Sequence, residues 1–370
     1  MFRKGKMTPR EKQILEMIRE NPVVSQNELA RRLDITRASV GVHISNLTKK
    51  GYLLGKGYIV SESHPITVIG GANMDIHAMP KSSMVMHDSN PGNISMALGG
   101  VARNISENLA LLGMDVRLVS AVGEDAFGER IIRNALVRNI NIKDIIQSKT
   151  GSTSIYSYVN DLDGDLLVAV SDMEILNNLD VNFFKNRLPK IDNSKITVIE
   201  ANLPQDSISY LCKNLRKTKI VADTVSTTKA RKLIPVLANI YLLKPNLLEA
   251  EVILGHQIKT KTEIIEAGDE FLERGVEKII ITLGKDGIYY ADEVHSYFLK
   301  PRVDKVVNTN GSGDAFLASL VFALHEGYDT KRMLDFALSG AALTSMSEET
   351  INPEISLERV EEMERRTQVV

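Results

Sequence analysis

The sequence predicts an α/β chain: a doubly wound, mostly parallel sheet that carries a small β lid and is preceded by a compact helical module. Short, near-continuous apolar runs at 196–200, 220–223, 240–244 and 278–283 leave room for helices between them, as strands buried on both faces of a parallel sheet do. Between Thr153 and Asp172, polar and apolar residues alternate around Asp161-Leu162-Asp163-Gly164-Asp165, the pattern of a half-exposed hairpin. Residues 1–63 instead show apolar positions at helical spacing behind cap residues, and this divides the chain into 1–63 and 64–370.

The 370 residues suit one large and one small domain, and 43% hydrophobic with 25% charged residues is ordinary for a globular protein. The net charge of −2 hides an asymmetry: residues 1–63 carry +6 and the remainder −8, so the two parts are expected to meet different partners. Cys212 is the single cysteine and has no internal disulfide partner. No His, Cys or carboxylate cluster has zinc spacing. The basic start leads into an amphipathic helix rather than a signal-type apolar core, and no apolar run approaches the roughly 20 residues that cross a bilayer. A cytoplasmic protein without a membrane partner is the expectation.

Thr8-Pro9-Arg10-Glu11 is a helix start, with an N-cap threonine, proline at the first helical position and a glutamate able to close a capping box. Ile14, Leu15 and Ile18 follow at helical spacing, and Asn21-Pro22 ends the helix. Ser25-Gln26-Asn27-Glu28 repeats the capping box before Leu29, Ala30 and Leu33, and Asp34-Ile35-Thr36 turns into a third helix at 37–50 with Val40, Ile44 and Leu47 on one face. Residues 51–60 read as two short strands around glycines. Three helices and a hairpin resemble a winged helix-turn-helix module, which implies DNA as a partner. Arg37, Ser39, His43 and Asn46 would face outward on the third helix, with Lys49, Lys50 and Lys56 near phosphates. The same positions also suit an ordinary solvated face.

After a polar link at 61–65, the run Ile66 to Asp75 reads as an apolar strand that delivers a carboxylate at its carboxyl end, where open α/β sheets bind ligands. Taken alone, Asp75 could equally cap a turn. Gly99-Gly100 precedes a helix closed by Gly113, and paired glycines let a ligand approach the backbone. Asn104 on the first turn offers both donors and an acceptor to a diol. The hairpin at 153–172 places Ser154, Tyr156 and Tyr158 on a lid, where closure would exclude water, although sheet packing explains tyrosines as well. Asn246 and Glu249 sit three apart at a helix start, where an amide and a carboxylate can order the waters of Mg²⁺.

Asn308-Thr309-Asn310-Gly311-Ser312-Gly313-Asp314 then opens an apolar helix. Free N–H groups and the helix dipole face one point there, an anion site. Asp314 could be a cap, but its better use is as a general base beside a developing phosphoryl charge, with the local field keeping its carboxylate ionised. No Gly-Lys pair is followed by Ser or Thr, so a Walker A loop is absent.

This run resembles the signature of the PfkB (ribokinase-like) family of sugar and nucleoside kinases, usually D-T-x-G-A-G-D. Asn308 stands where that family has aspartate, and Ser312 where alanine is common. The family's G-G-x-x-x-N is matched by Gly99 to Asn104, its N-x-x-E by Asn246 to Glu249, and its T-x-G-x-x-G by Thr282, Gly284 and Gly287. The resemblance covers about residues 64–370 and implies a kinase using ATP and Mg²⁺. It makes Asp314 the base and Gly311, Ser312 and Gly313 the anion hole. It places Asp75, Gly99, Gly100, Asn104, Glu200, Ser154 and Tyr156 on the acceptor. Lys244, Asn246, Thr282, Gly284, Gly287 and Asn352 fall to the nucleotide, with Glu249 and Asn246 serving the metal. The family often binds a monovalent cation such as K⁺, and Asn308 removes a negative charge from that place. The wording around residues 89–113 is similar to the pseudouridine kinase branch, which implies transfer to the 5′-hydroxyl of pseudouridine; another nucleoside, ribose or fructose, or a ligand-sensing regulator, is the alternative. Pairing through lids and through DNA-binding modules implies a homodimer.

Overall fold

A computed structural model of the protein describes residues 7–53, 65–300 and 306–368. Three helices come first: α1 (Pro9–Glu20), α2 (Gln26–Leu33) and α3 (Arg37–Lys49). Thr8 and Glu11 close the expected capping box on α1. The one expected on α2 is half made, because the Glu28 side chain turns to Arg31 and Arg32 instead of back to the cap. Ile14, Leu15, Ile18, Leu29, Val40 and Leu47 form the core of this module. Arg37 and Lys49 are exposed, whereas Ser39, His43 and Asn46 are half-buried. Lys50 does not stand free for a phosphate, because it pairs at 2.7 Å with the buried Glu11. Most of the expected hairpin, with Lys56, and residues 61–64 of the link lie outside the described residues.

The remaining elements run β1 (Ile66–Ile69), β2 (Asn73–Pro80), β3 (Gly92–Gly99), α4 (Val101–Leu111), β4 (Val116–Gly123), α5 (Ala126–Val137), β5 (Asn141–Ser148), β6 (Ser154–Asn160) and β7 (Leu166–Asp172). Short helices α6 (Val181–Lys185) and α7 (Leu188–Ile191) precede β8 (Ile196–Glu200), α8 (Gln205–Asn214), β9 (Lys219–Asp223), α9 (Thr227–Ala230) and β10 (Leu242–Lys244). The chain closes with α10 (Leu247–Leu254), α11 (Lys261–Glu273), β11 (Lys278–Thr282), β12 (Ile288–Asp292), β13 (Ser296–Leu299), α12 (Ser312–Glu326), α13 (Thr330–Ser345) and α14 (Leu357–Gln368).

Nine strands form the large sheet in the order β13-β12-β11-β10-β9-β8-β1-β4-β5. All its pairs are parallel except β11 with β12 and β12 with β13. Alternate residues of the parallel strands enter two apolar layers: Ile66, Val68 and Val198 pack with α4, α12 and α13, while Ile69 and Ile199 pack with α8 and α10. That is the doubly wound arrangement expected of strands apolar on both faces. Among the described residues no helix is long and apolar enough to cross a membrane.

The lid is larger than the hairpin read from the sequence. It is a four-stranded sheet, β3-β2-β6-β7, and the expected strand from Ile66 to Asp75 is two strands in two sheets. After β1 the chain turns at Gly70-Gly71, held by the Glu200 carboxylate accepting from the Gly71 N–H at 2.6 Å. Asp75 therefore lies within lid strand β2, level with Tyr156 of β6. The lid has two unlike faces. Asp75, His77, Tyr156 and Tyr158 share one, and Ile94, Met96, Val168 and Val170 lie exposed and apolar on the other.

Candidate active site

Asp314 sits on the first turn of α12, at the carboxyl ends of the parallel strands. Gly311 caps that helix in the left-handed conformation, φ +77°, and a Cβ there would stand 1.9 Å from the Thr350 carbonyl oxygen. Only glycine fits both demands. Gly313 lies exposed beside Asp314 at the helix start, while the Ser312 N–H donates to the Thr309 carbonyl at 3.3 Å.

Asn104 Nδ2 donates to Asp314 Oδ2 at 2.8 Å. Asn104 Oδ1 in turn accepts from Arg103 Nη1 at 2.8 Å, and the same nitrogen donates to the Leu98 carbonyl at 2.6 Å. Arg103 is buried, pairs with Glu107, and Glu107 accepts from Arg138 Nε at 2.8 Å. This chain of bonds fixes which way the Asn104 amide faces. It spends one oxygen of Asp314 and leaves Oδ1 without a hydrogen bond among the described residues.

The Asp314 carboxyl is pushed up to about 7 by burial, with Asp223 and Glu200 adding to the rise against the Asn104 bond and Lys244. The expectation that the helix dipole keeps this acid ionised is therefore corrected. A dipole end contributes about 0.3–1 kcal/mol and falls off within a turn. Loss of water and nearby carboxylates outweigh it. Asp223 is itself held at 3.0 Å by Lys244.

The acceptor side is built on the two passages between the sheets. Gly100, φ +98°, has no room for a Cβ, which would lie 2.5 Å from the Gly71 oxygen, while the space a Cβ on Gly99 would fill is taken by the Asp75 carboxylate. Burial raises Asp75 above the ordinary range, opposed by the 2.6 Å bond from Asn73 Nδ2 and by Arg103. Asp75, Leu98 and Arg103 line a cleft of about 1040 Å³ beneath the lid, which runs on to Asn308 and Thr350.

Several residues assigned from the sequence stand differently. Glu200 is fully buried, takes bonds from the Gly71 and Asn202 N–H groups, and has its pKa raised to about 7 by burial. It shapes the turn rather than facing an acceptor. Ser154 is buried with its Oγ unpartnered, whereas Tyr156 is half-buried and stacked on Tyr158 at 5.3 Å. Gly287 is buried at the end of the β11–β12 turn, where a Cβ would meet the Leu299 oxygen at 1.9 Å, so it serves the packing of that turn against the end of β13 and not a phosphate. Asn352 is buried, donates to the Leu343 carbonyl and accepts from the Glu354 N–H, bonds that tie its amide to the chain's own backbone. Lys244 is committed to Asp223, and Thr282 and Gly284 remain accessible at the end of β11.

Asn246 and Glu249 form a reciprocal capping box, and Glu249 also accepts from Thr224. One Glu249 oxygen is used this way, and no group of three His, Cys or carboxylate side chains gathers among the described residues. Such a donor set fits Mg²⁺ that keeps most of its water shell and is held through those waters. Arg103, Glu107 and Asp223 were not singled out in the sequence. Arg103 and Glu107 at i and i+4 on a helix read as a surface pair, and only the packing of α4 against α12 reveals them as buried.

A half-buried carboxylate of raised pKa at a glycine-framed helix start, set below a lid in a doubly wound sheet, belongs to the class of phosphotransferases that act on alcohols. Residues 63–356 match the model of the pfkB family carbohydrate kinases, and the chain belongs to that family, whose members phosphorylate hydroxyl groups of sugars or nucleosides. Residues 7–53 match a winged helix-turn-helix DNA-binding model. The chain is 32% identical over 351 residues to the uncharacterized sugar kinase YeiI of Escherichia coli, covering 95% of this chain and 97% of that one. It is 31% identical over 300 residues to the pseudouridine kinase of Escherichia coli, covering 81% and 96%. Among solved structures, a carbohydrate kinase from Agrobacterium tumefaciens superposes with TM-score 0.72 at 25% identity, over 82% of this chain and 97% of that one. Arabidopsis thaliana ribokinase complexed with ribose and ATP shares the fold, with TM-score 0.75 at 20% identity over 82% and 99%.

Proposed function

We propose that the chain transfers the γ-phosphoryl group of ATP to the 5′-hydroxyl of pseudouridine. The observation that carries the phosphotransfer is Asp314: one oxygen is pinned by Asn104, the other is open, and the pKa of about 7 is matched to a base working near neutrality. Asp314 Oδ1 takes the hydroxyl proton as the oxygen attacks phosphorus. The Gly311 and Gly313 N–H groups, with that of Ser312 once it leaves the Thr309 carbonyl, steady the charge on the transferring group. Asp75, Asn104 and the Gly99-Gly100 backbone hold the ribose. Mg²⁺, when bound, neutralises phosphate charge, and Asn246 and Glu249 order its waters. The choice of pseudouridine rests on the 31% identical Escherichia coli enzyme of that name.

A phosphorylation screen of pseudouridine, uridine, inosine and ribose tests this, with pseudouridine expected to show the highest kcat/KM; a preference for any of the others refutes the substrate. Asn308 Nδ2 donates to the Glu348 carbonyl at 3.0 Å while its oxygen accepts from the Asn310 N–H. The amide is engaged at both its nitrogen and its oxygen and brings no negative charge to a cation. The same rates are therefore expected when K⁺ is replaced by tetramethylammonium.

The apolar outer face of the lid fits a second copy of the chain, and the N-terminal module fits duplex DNA as a dimer. Ile94→Asp with Val170→Asp places charge on that face. The variant is expected to sediment as a monomer and to shift labelled DNA more weakly than the parent. An unchanged sedimentation coefficient would remove the lid as the contact.

A further inference from the structure

Beyond the ribose end, the cleft continues along the lid. His77 follows Asp75 on the same face of β2 and is level with Tyr158 of β6. Their rings stack on one another at 4.7 Å with 16° between planes, and Tyr156 stacks on Tyr158 at 5.3 Å, so the outer face of the His77 ring is the one that no other ring covers among the described residues. Asn134 of α5 lines the same cleft. His77 Nε2 and Asn134 Oδ1 are buried and have no hydrogen-bond partner. Asn134 Nδ2 lies 3.5 Å from Glu107 Oε1, which leaves the oxygen as the free end of that amide.

A buried polar atom left bare costs about 1–3 kcal/mol, and two on one cleft mark a ligand with complementary groups. Phosphoryl transfer uses neither of them. The uncovered outer face of His77 leaves space for a planar ring at that end of the stack, and a bare amide oxygen calls for a ring N–H. Neutral His77 in its Nδ1–H tautomer presents Nε2 as a second acceptor.

Resting on the nucleoside-kinase reading above, we propose that this end of the cleft is a nucleobase subsite. A uracil-type ring lies at the edge of the His77–Tyr158 stack, in the plane of the imidazole, and Asn134 Oδ1 and His77 Nε2 accept from its two ring N–H groups. Pseudouridine, joined to ribose through carbon, carries N–H at both N1 and N3. Uridine, joined through nitrogen, carries only the N3–H, so one acceptor stays bare and uridine is the poorer acceptor.

The test is kcat/KM for pseudouridine, 1-methylpseudouridine and 3-methylpseudouridine with the wild type, Asn134→Leu and His77→Phe; Asn134→Ala replaces Asn134→Leu should the latter fail to fold. Each methylation is expected to cost the wild type about tenfold or more, the scale of one lost hydrogen bond. One penalty should fall below about threefold in the Asn134 variant and the other in His77→Phe, the non-additivity expected of groups in contact. Equal penalties in wild type and variants, or methylated nucleosides used as well as the parent, overturn the subsite and leave the nucleoside kinase standing. A wild type that turns over none of the three overturns both.

Discussion

Asp314→Asn is expected to lower kcat by about 10²- to 10⁴-fold, the range a positioned general base contributes, while leaving ATP binding and the fold in place. The same variant should be more stable than the wild type at pH 8. The sign follows from linkage: the folded carboxyl is raised to about 7 against an ordinary 3.8, so between roughly 4 and 7 the native state holds a proton that the unfolded state has released. Native stability is therefore lost as pH rises through that window. Asparagine has no such proton to lose, so the gain in Tm should be clear at pH 8 and shrink toward pH 5. In the wild type, kcat/KM should rise with pH to a half-point near 7. A variant retaining near-normal turnover, or a Tm difference that does not change with pH, would contradict the assignment.

Arg103→Met is expected to destabilise the chain by about 3 kcal/mol, the low end for breaking a buried pair. Glu107 is left buried beside a methionine, although Arg138 still reaches it at 2.8 Å. Adding Glu107→Gln should recover part of the loss, because the uncompensated charge is then gone. Turnover should stay depressed in both, since nothing then holds the Asn104 amide with its nitrogen toward Asp314. Urea unfolding and kcat measured on the single and double variants decide it. A single variant within about 1 kcal/mol of the wild type would show that the pair is not needed.

How far this could be read from the sequence depended on whether a feature was local. The glycine-framed start of α12 is local: Gly311, Ser312, Gly313 and Asp314 are neighbours, and helix-end chemistry does not need the rest of the fold. The parallel strands are local in the same sense, since apolar runs such as Ile196–Glu200 report burial on both faces. Strand β3 was hidden because six of its eight residues are exposed, so no alternation marks it. The position of Asp75 was hidden because the switch between sheets at Gly70-Gly71 depends on Glu200, which lies more than a hundred residues later. Asn352 and Gly287 match a motif by letter, yet their environments, a carbonyl of α13 and the backbone at Leu299, belong to tertiary packing. The raised pKa of Asp314 came first from burial and then from Asp223 and Glu200, and only the assembled sheet supplies either.

The backbone leaves the large sheet at Gly71 and returns at Gly100, and these two points touch, with no side chain between them. They act mechanically as one joint. Asp75 lies four residues past one side of the joint and Asn104 four residues past the other, so bulk introduced at either glycine displaces the grip on the acceptor and the partner of the base together. Affinity for the sugar and the rate of transfer are for that reason tied to a single piece of geometry, and neither can be tuned there without the other.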